Sequence, residues 1–242
     1  MRVEVTFLGT GTAFSAGAYN ASILVDRALL LDAGAPLCVH LPRAGVPLTG
    51  PRAVFLTHFH ADHTFGLASL MLGRALLPDQ GGPLLVVGPA GTREYLVQLL
   101  DLAWGDEMRQ LTWERLQVTV TELGHEGSLQ VAGYRVRAFE MTHTSRFPCL
   151  GYVLENERVR LGYTGDSEVS PNLDSLLSSC DHVIAEMTYA EPGQMHLSRV
   201  DILQLMKAHP GVRFMLTHRG TDQAVDGAVL ARDFLTLRLP LS

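Results

Sequence analysis

Positive charge is what this sequence has least of. Its 242 residues carry 19 lysines and arginines against 25 aspartates and glutamates, a formal charge of −6, and Lys207 is the only lysine. Such a balance argues against a general nucleic-acid binder, which needs cationic side chains facing phosphates. A local basic mouth stays open, because a total says nothing about distribution. Cysteine is scarce as well: Cys38, Cys149 and Cys180 lie far apart with no CxxC spacing. A paired disulfide framework is therefore excluded, and reduced core thiols are expected. No apolar run is long enough to span a bilayer. The opening "MRVEVTFLG" enters a strand pattern with no charged and apolar leader before it, so no secretory signal is expected. The expectation is a soluble cytoplasmic protein.

Apolar residues, by contrast, make up 47% of the chain, which excludes disorder and suffices for a sizeable core. No linker, low-complexity tract or charge run divides it, so residues 1–242 read as a single domain. Alternating or wholly apolar runs predict strands at "VEVTFLG", "ASILVD", "ALLLDAG", "RAVFLTH", "PLLVVGP", "LQVTVTEL", "SLQVAG", "YRVRAFEMTH", "CLGYVLE", "RVRLGYTGD", "HVIAEMT" and "VRFMLTH". "ASILVD" and "ALLLDAG" form a hairpin. Helices are expected at Pro36–Ala44, Thr64–Leu77, Ala90–Trp104, Asn172–Ser179, Ser198–Ala208 and Gln223–Leu235. Strand-rich halves with interspersed helices suggest an α/β fold, two sheets packed face to face with helices outside.

One pattern recurs. "LTH" ends at His58, "MTH" at His143 and "LTH" at His218, each after an apolar strand, and "GYTGD" sets Asp166 after another. Polar residues repeated at strand ends suggest convergence on one sheet edge, where α/β sites commonly lie. The densest group is "THFHADH", with His58, His60, Asp62 and His63 within six residues. Neutral imidazoles and carboxylates suit Zn, Mn or Fe. Four such groups cannot complete two coordination shells. With His143, Asp166 and His218 the set becomes five histidines and two aspartates, enough for two ions about 3.5–4 Å apart sharing a carboxylate and a hydroxide.

"THFHADH" has the HxHxDH pattern of the metallo-β-lactamase superfamily, and the later His, Asp and His follow in the order of that family over nearly the whole chain. "LGTGTAFSAGAYNASILVD", "GPAGTREYL" and "LGYTGDSE" resemble the ribonuclease Z and related phosphodiesterase branch. The resemblance implies a four-layer αββα sandwich. It implies one ion on His58, His60 and His143, a second on Asp62, His63 and His218, and Asp166 as the bridge. Zinc is the expected metal, with manganese or iron as alternatives. A metal-bridging hydroxide would attack a phosphodiester, Asp62 taking up its proton. By the same resemblance His196, in "GQMHLS", contacts the scissile phosphate and serves the leaving group, and Glu186 orients it.

Blander roles exist for several of these residues. Asp62 suits a helix cap at Thr64, His196 suits a helix entry ahead of an N-cap at Ser198, and Glu186 suits a buried, satisfied carboxylate. His125 reads as a turn residue, and His40, His182 and His209 lack chemical company. "GTGT" lacks the full GxGxxG and its helix, so it is no dinucleotide fingerprint; it reads as a tight turn near the site, with Asn20 facing substrate.

The chain departs from ribonuclease Z in having no long insertion for a tRNA-gripping arm. A small or short phosphodiester is therefore favoured, such as a cyclic nucleotide, a nucleotide-like diester or a short RNA end, and folded tRNA is disfavoured. No membrane partner is expected, and the resemblance allows a homodimer. Alternatives are thioester or carboxyl-ester hydrolysis on the same centre, a mononuclear-iron sulfur dioxygenase, and a non-enzymatic metal-binding module.

Overall fold

Strand periodicity sets the layers of this molecule. In "SILV", "LLL", "AVF" and "LVVG" successive side chains point to opposite faces, yet nearly every residue is apolar, so both faces must be covered. A computed structural model describes residues 2–241 and shows how. The chain runs through β1 (Val3–Gly9), β2 (Ser22–Val25), β3 (Leu29–Leu31), α1 (Leu37–Arg43), β4 (Ala53–Phe55), α2 (Ala61–Ala75), β5 (Leu85–Gly88), α3 (Thr92–Arg115) and β6 (Thr119–Glu122). It continues through β7 (Ser128–Val131), β8 (Tyr134–Met141), β9 (Cys149–Glu155), β10 (Arg160–Tyr163), α4 (Pro171–Ser178), β11 (His182–Met187), α5 (Arg199–Ala208), β12 (Arg213–Arg219), β13 (Val229–Leu230) and β14 (Thr236–Leu239).

Two seven-stranded sheets result, in the orders β14-β1-β2-β3-β4-β5-β6 and β13-β12-β11-β10-β9-β8-β7. Ile23, Leu29, Leu31 and Phe55 of the first sheet meet Tyr152, Leu161, Tyr163 and Met215 of the second in a central core. Their neighbours Leu24, Leu30 and Val54 turn outward onto Leu67, Met71 and Leu96 of α2 and α3. On the far side Val153, Val183 and Phe214 pack against Leu173 and Leu176 of α4 and Ile202 of α5. This is the expected four-layer αββα sandwich. Each such side chain contributes roughly 1.5–3 kcal/mol on burial, so the strands are held from both faces.

The hairpin between β2 and β3 closes through three residues, Asp26, Arg27 and Ala28, with Asp26 and Arg27 in the left-handed region at φ 47° and 58° and Ala28 N–H donating to the Val25 carbonyl at 3.0 Å. Helix α2 starts at Ala61, with His60 as its N-cap residue and no side-chain cap. Asp62 and His63 therefore occupy its first turn rather than preceding it, and Asp62 does not cap Thr64. Helix α3 passes Trp104, breaks at Gly105 (φ 79°, ψ 165°) and resumes to Arg115. At α5 the expected cap is present: Ser198 and Asp201 form a reciprocal capping box.

The expected helix over Gln223–Leu235 does not form. Gly227 takes φ 83° after Asp226, which turns the chain, and Val229–Leu230 then pairs in parallel with β12. Phe234 is also left-handed at φ 65°, and Asp233 is drawn away to accept hydrogen bonds from Thr10 and from the backbone N–H of Tyr19. No helix among the described residues is long and apolar enough to cross a membrane.

Two glycines bring the β3–α1 turn against α2. A Cβ at Gly34 would lie 1.7 Å from the Asp62 carbonyl oxygen, and one at Gly66 2.0 Å from that of Ala35. Backbone must move to admit either. Gly34→Ala is therefore expected to lower stability by about 1–3 kcal/mol or more, read as a lower urea midpoint; an unchanged midpoint would show that this contact is not tight.

Candidate metal centre

Strands β10, β11 and β12 are mutually parallel, and β8 shares their direction because both it and β10 are antiparallel to β9. His143 and Asp166, just past the C-terminal ends of β8 and β10, and His218, near the end of β12, meet at one edge together with the segment after β4. His58, His60, Asp62, His63, His143, Asp166 and His218, separated by up to 160 positions in the chain, come together there. One nitrogen or oxygen from each of His58, His60, His143 and Asp166 lies within 4.8 Å of the others, and the same holds for Asp62, His63 and His218.

Hydrogen bonds set which ring nitrogen each histidine offers. The Thr57 hydroxyl donates to Asp32 at 2.8 Å, so His58 Nδ1–H must donate to that hydroxyl oxygen at 2.9 Å, leaving its Nε2 without a proton. His143 Nδ1–H donates to the Met195 carbonyl at 2.6 Å, and His63 Nδ1–H to Asp32 at 2.7 Å. Thr188 donates its hydroxyl proton to Glu186 at 2.6 Å and so accepts from His218 Nδ1–H at 3.0 Å. Fixing one nitrogen in this way presents the other to a metal.

His58 Nε2 lies 3.0 Å, and His143 Nε2 3.2 Å, from His60 Nδ1. Hydrogen bonding alone leaves one proton on His60 Nδ1 shared between two lone pairs, whereas a common cation would serve all three nitrogens. His63 Nε2 and Asp166 Oδ1 are buried, 3.4 Å apart, and neither makes a hydrogen bond. Such orphaned polar atoms cost roughly 1–3 kcal/mol each unless something fills the gap. The donor set therefore fits divalent metal.

Asp166 lies at the centre. Its Oδ2 is 3.8 Å from both His58 Nε2 and His143 Nε2, while Oδ1 is 3.4 Å from His63 Nε2 and 3.6 Å from His218 Nδ1. Burial opposes ionisation of Asp166, but His218 and His63 outweigh it and hold the carboxyl well below its usual range. Burial keeps His58 neutral, well below the ordinary imidazole value. For His63 burial acts the same way, yet the carboxylates of Asp166 and Asp32 prevail and raise it well above that value.

Glu186, fully buried on β11, accepts from Ser167 N at 2.8 Å, Thr188 Oγ1 at 2.6 Å and His196 Nδ1 at 3.0 Å. It is thus both a satisfied buried carboxylate and the partner of His196, which takes its position from that bond. Burial disfavours the charged form of His196, but its hydrogen bond to Glu186 together with the negative charges of Glu186 and Asp166 outweighs this and raises its pKa. His196 Nδ1 is 3.7 Å from Asp166 Oδ2, and His196 forms a third group with Asp166 and His218. Asp62, His60, Asp166, His196 and His218 face a cavity of about 770 Å³, which Asn20 also lines.

Asp32 is the residue that sequence reading misses. Fully buried at φ 55°, it also accepts from Thr57 N at 2.8 Å and Tyr163 OH at 2.7 Å. Through Thr57 it reaches His58, and it holds His63 directly. The signal available was a lone acid closing the apolar run "LLLDAG". His218, at φ 45°, is a second site residue in the left-handed region, where strain is tolerated because the surroundings over-determine it.

Comparison with known proteins bears on the fold and the family. Ribonuclease Z of Methanosarcina acetivorans is 31% identical over 161 residues, covering 64% of this chain and 50% of the relative. The chain spans about half the length of the first curated relatives it matches. Among solved structures, the metallo-β-lactamase fold protein YhfI from Bacillus subtilis superposes with a TM-score of 0.79 at 18% identity, covering 98% of both chains. Human tRNase Z, short form, gives 0.78 at 23% identity, covering 98% of this chain and 100% of that one. The fold is that of the metallo-β-lactamase superfamily, as the motif implied. The family model described as Anti-Pycsar protein Apyc1 matches residues 3–230, and the chain belongs to that family.

Proposed function

We propose that the chain is a binuclear metal-dependent phosphodiesterase acting on a small, nucleotide-like diester. The two faces of Asp166 carry this reading, since each carboxylate oxygen lies against a different histidine group. His58, His60 and His143 would hold one ion, Asp62, His63 and His218 the other, with Asp166 between them. Zinc suits these nitrogen and oxygen donors, as do manganese and iron. Bound there, two divalent ions would lower the pKa of water towards neutrality and offset charge growing on phosphate oxygens.

The remaining steps fall to side chains. Asp62, with Oδ2 3.1 Å from His218 Nε2, takes the proton from the attacking water. His196 keeps Nδ1–H on Glu186 and delivers a proton from Nε2 to the leaving alkoxide, for which its raised pKa suits it. Asp32 keeps His63 oriented, so Asp32→Asn is expected to weaken metal binding about 10–100-fold, measured by competition with a chromophoric chelator. Unaltered affinity would mean that packing alone orients the ring.

A cavity of about 770 Å³ suits a cyclic nucleotide, a nucleotide-like diester or a short RNA end. With a net charge of −6 and only a short connection between Ala75 and Leu85, folded tRNA is a poor fit. We assign the protein to the cytoplasm and treat the chain as one metallo-hydrolase unit. The test is a metal-reconstituted screen against bis(p-nitrophenyl) phosphate, cyclic nucleotides, thioesters and precursor tRNA. Diester cleavage without thioester cleavage is expected; thioester hydrolysis alone would overturn the reading.

A further inference from the structure

The mouth of the metal cavity is lined by aromatic rings that the chemistry does not use. Phe14, on the β1–β2 connection, is 96% exposed, Phe65 on α2 is 59% exposed, and Tyr189, after β11, is 38% exposed. These three rings, from separate elements, all line the cavity that also contains Asp62, Asp166 and His196. Tyr189 stands edge-on to the His196 ring, with centroids 5.6 Å apart. Phe14 also lines an adjoining cavity of about 600 Å³, as Thr12 and Gly220 do, so the ring borders both open spaces. A ring left almost wholly in water gains nothing for the fold, and an apolar rim around a charged site indicates what part of a ligand comes to rest there.

From this arrangement we infer that Phe14 is the principal stacking surface of a base-binding subsite, with Phe65 and Tyr189 completing its walls. The ligand is a phosphate ester bearing a flat nucleobase. The phosphate faces Asp62, Asp166 and His196, and the base leans outward on Phe14. This inference rests on the phosphodiesterase reading for its orientation and adds the residue that selects nucleotides over base-less phosphate esters. Stacking accepts any base because every base has a π-face, so the subsite demands a base without dictating which one.

Binding tests this separately from catalysis. Metal-loaded wild type, Phe14→Ala and Phe14→Trp are titrated calorimetrically with adenosine 5′-monophosphate and with ribose 5-phosphate. Base stacking on an aromatic side chain is large enough for wild type to prefer the nucleotide by about tenfold or more. Phe14→Ala is expected to lose most of that preference while its affinity for ribose 5-phosphate stays the same, and Phe14→Trp to retain it. Equal affinity of wild type for both ligands, including no binding of either, overturns the subsite. So does a preference that survives Phe14→Ala. Sedimentation of the same proteins covers the other occupant: a dimer dissociated by Phe14→Ala with ligand affinities unchanged would show that the ring serves a second copy of the chain. Nucleotide preference in a protein that cleaves no diester would refute the hydrolase reading and leave the subsite standing.

Discussion

Asp166→Ala is expected to reduce cleavage of bis(p-nitrophenyl) phosphate by on the order of a thousandfold or more, because several kcal/mol of transition-state stabilisation would depend on the proposed metal pair. Asp166 is 3% exposed and is surrounded by His58, His63, His143 and His218 at 3.4–3.8 Å. Removing its carboxylate takes away the one group that faces both nitrogen sets. Metal content should fall with activity. The fold should persist, because the central core and the two helix-facing cores are built from other residues. Circular dichroism and a thermal melt check that point. Activity within tenfold of wild type would remove Asp166 from its bridging role.

His196→Ala is expected to behave differently. General acid catalysis contributes typically about 10²–10⁴-fold, and that loss should appear in kcat with metal content unchanged. It should also depend on the leaving group. p-Nitrophenolate departs with little help from a proton, so the defect should be small with the nitrophenyl diester and large with a ribose alkoxide. Glu186→Gln should share the pattern in milder form, since it weakens the bond that orients His196. Because His196 also stands in a ligand-like group with Asp166 and His218, metal analysis decides between roles. Loss of an ion in His196→Ala would make it a ligand and contradict the proton-donor assignment.

Much of this centre is legible in the chain because its residues follow strands. "LTH", "MTH", "TGD" and "LTH" each end an apolar run, and strands running in a common direction deliver their ends to one edge. What fails is local. Asp62 and His63 break the apolar period at the start of α2, so the helix seems to begin at Thr64 although it begins at Ala61. Over Gln223–Leu235 the apolar spacing imitates a helix, but Gly227 turns the backbone and β12 recruits Val229–Leu230 as a strand. Asp32 goes unseen because its partners, His63 and Tyr163, lie 31 and 131 residues away. A lone acid after a strand looks like hairpin punctuation until the sheets close over it. The aromatic mouth is hidden for the same reason: Phe14, Phe65 and Tyr189 become neighbours of one cavity only in three dimensions.

The proposed chemistry needs two ions held by seven side chains. Its most direct test is metal stoichiometry: the protein is stripped, reloaded with excess zinc or manganese, desalted, and analysed by plasma mass spectrometry against protein concentration. Two ions per chain are predicted, falling to one or fewer in Asp166→Ala. One ion per chain at saturation, in particular a single iron retained in preference to zinc and manganese, would contradict the binuclear centre.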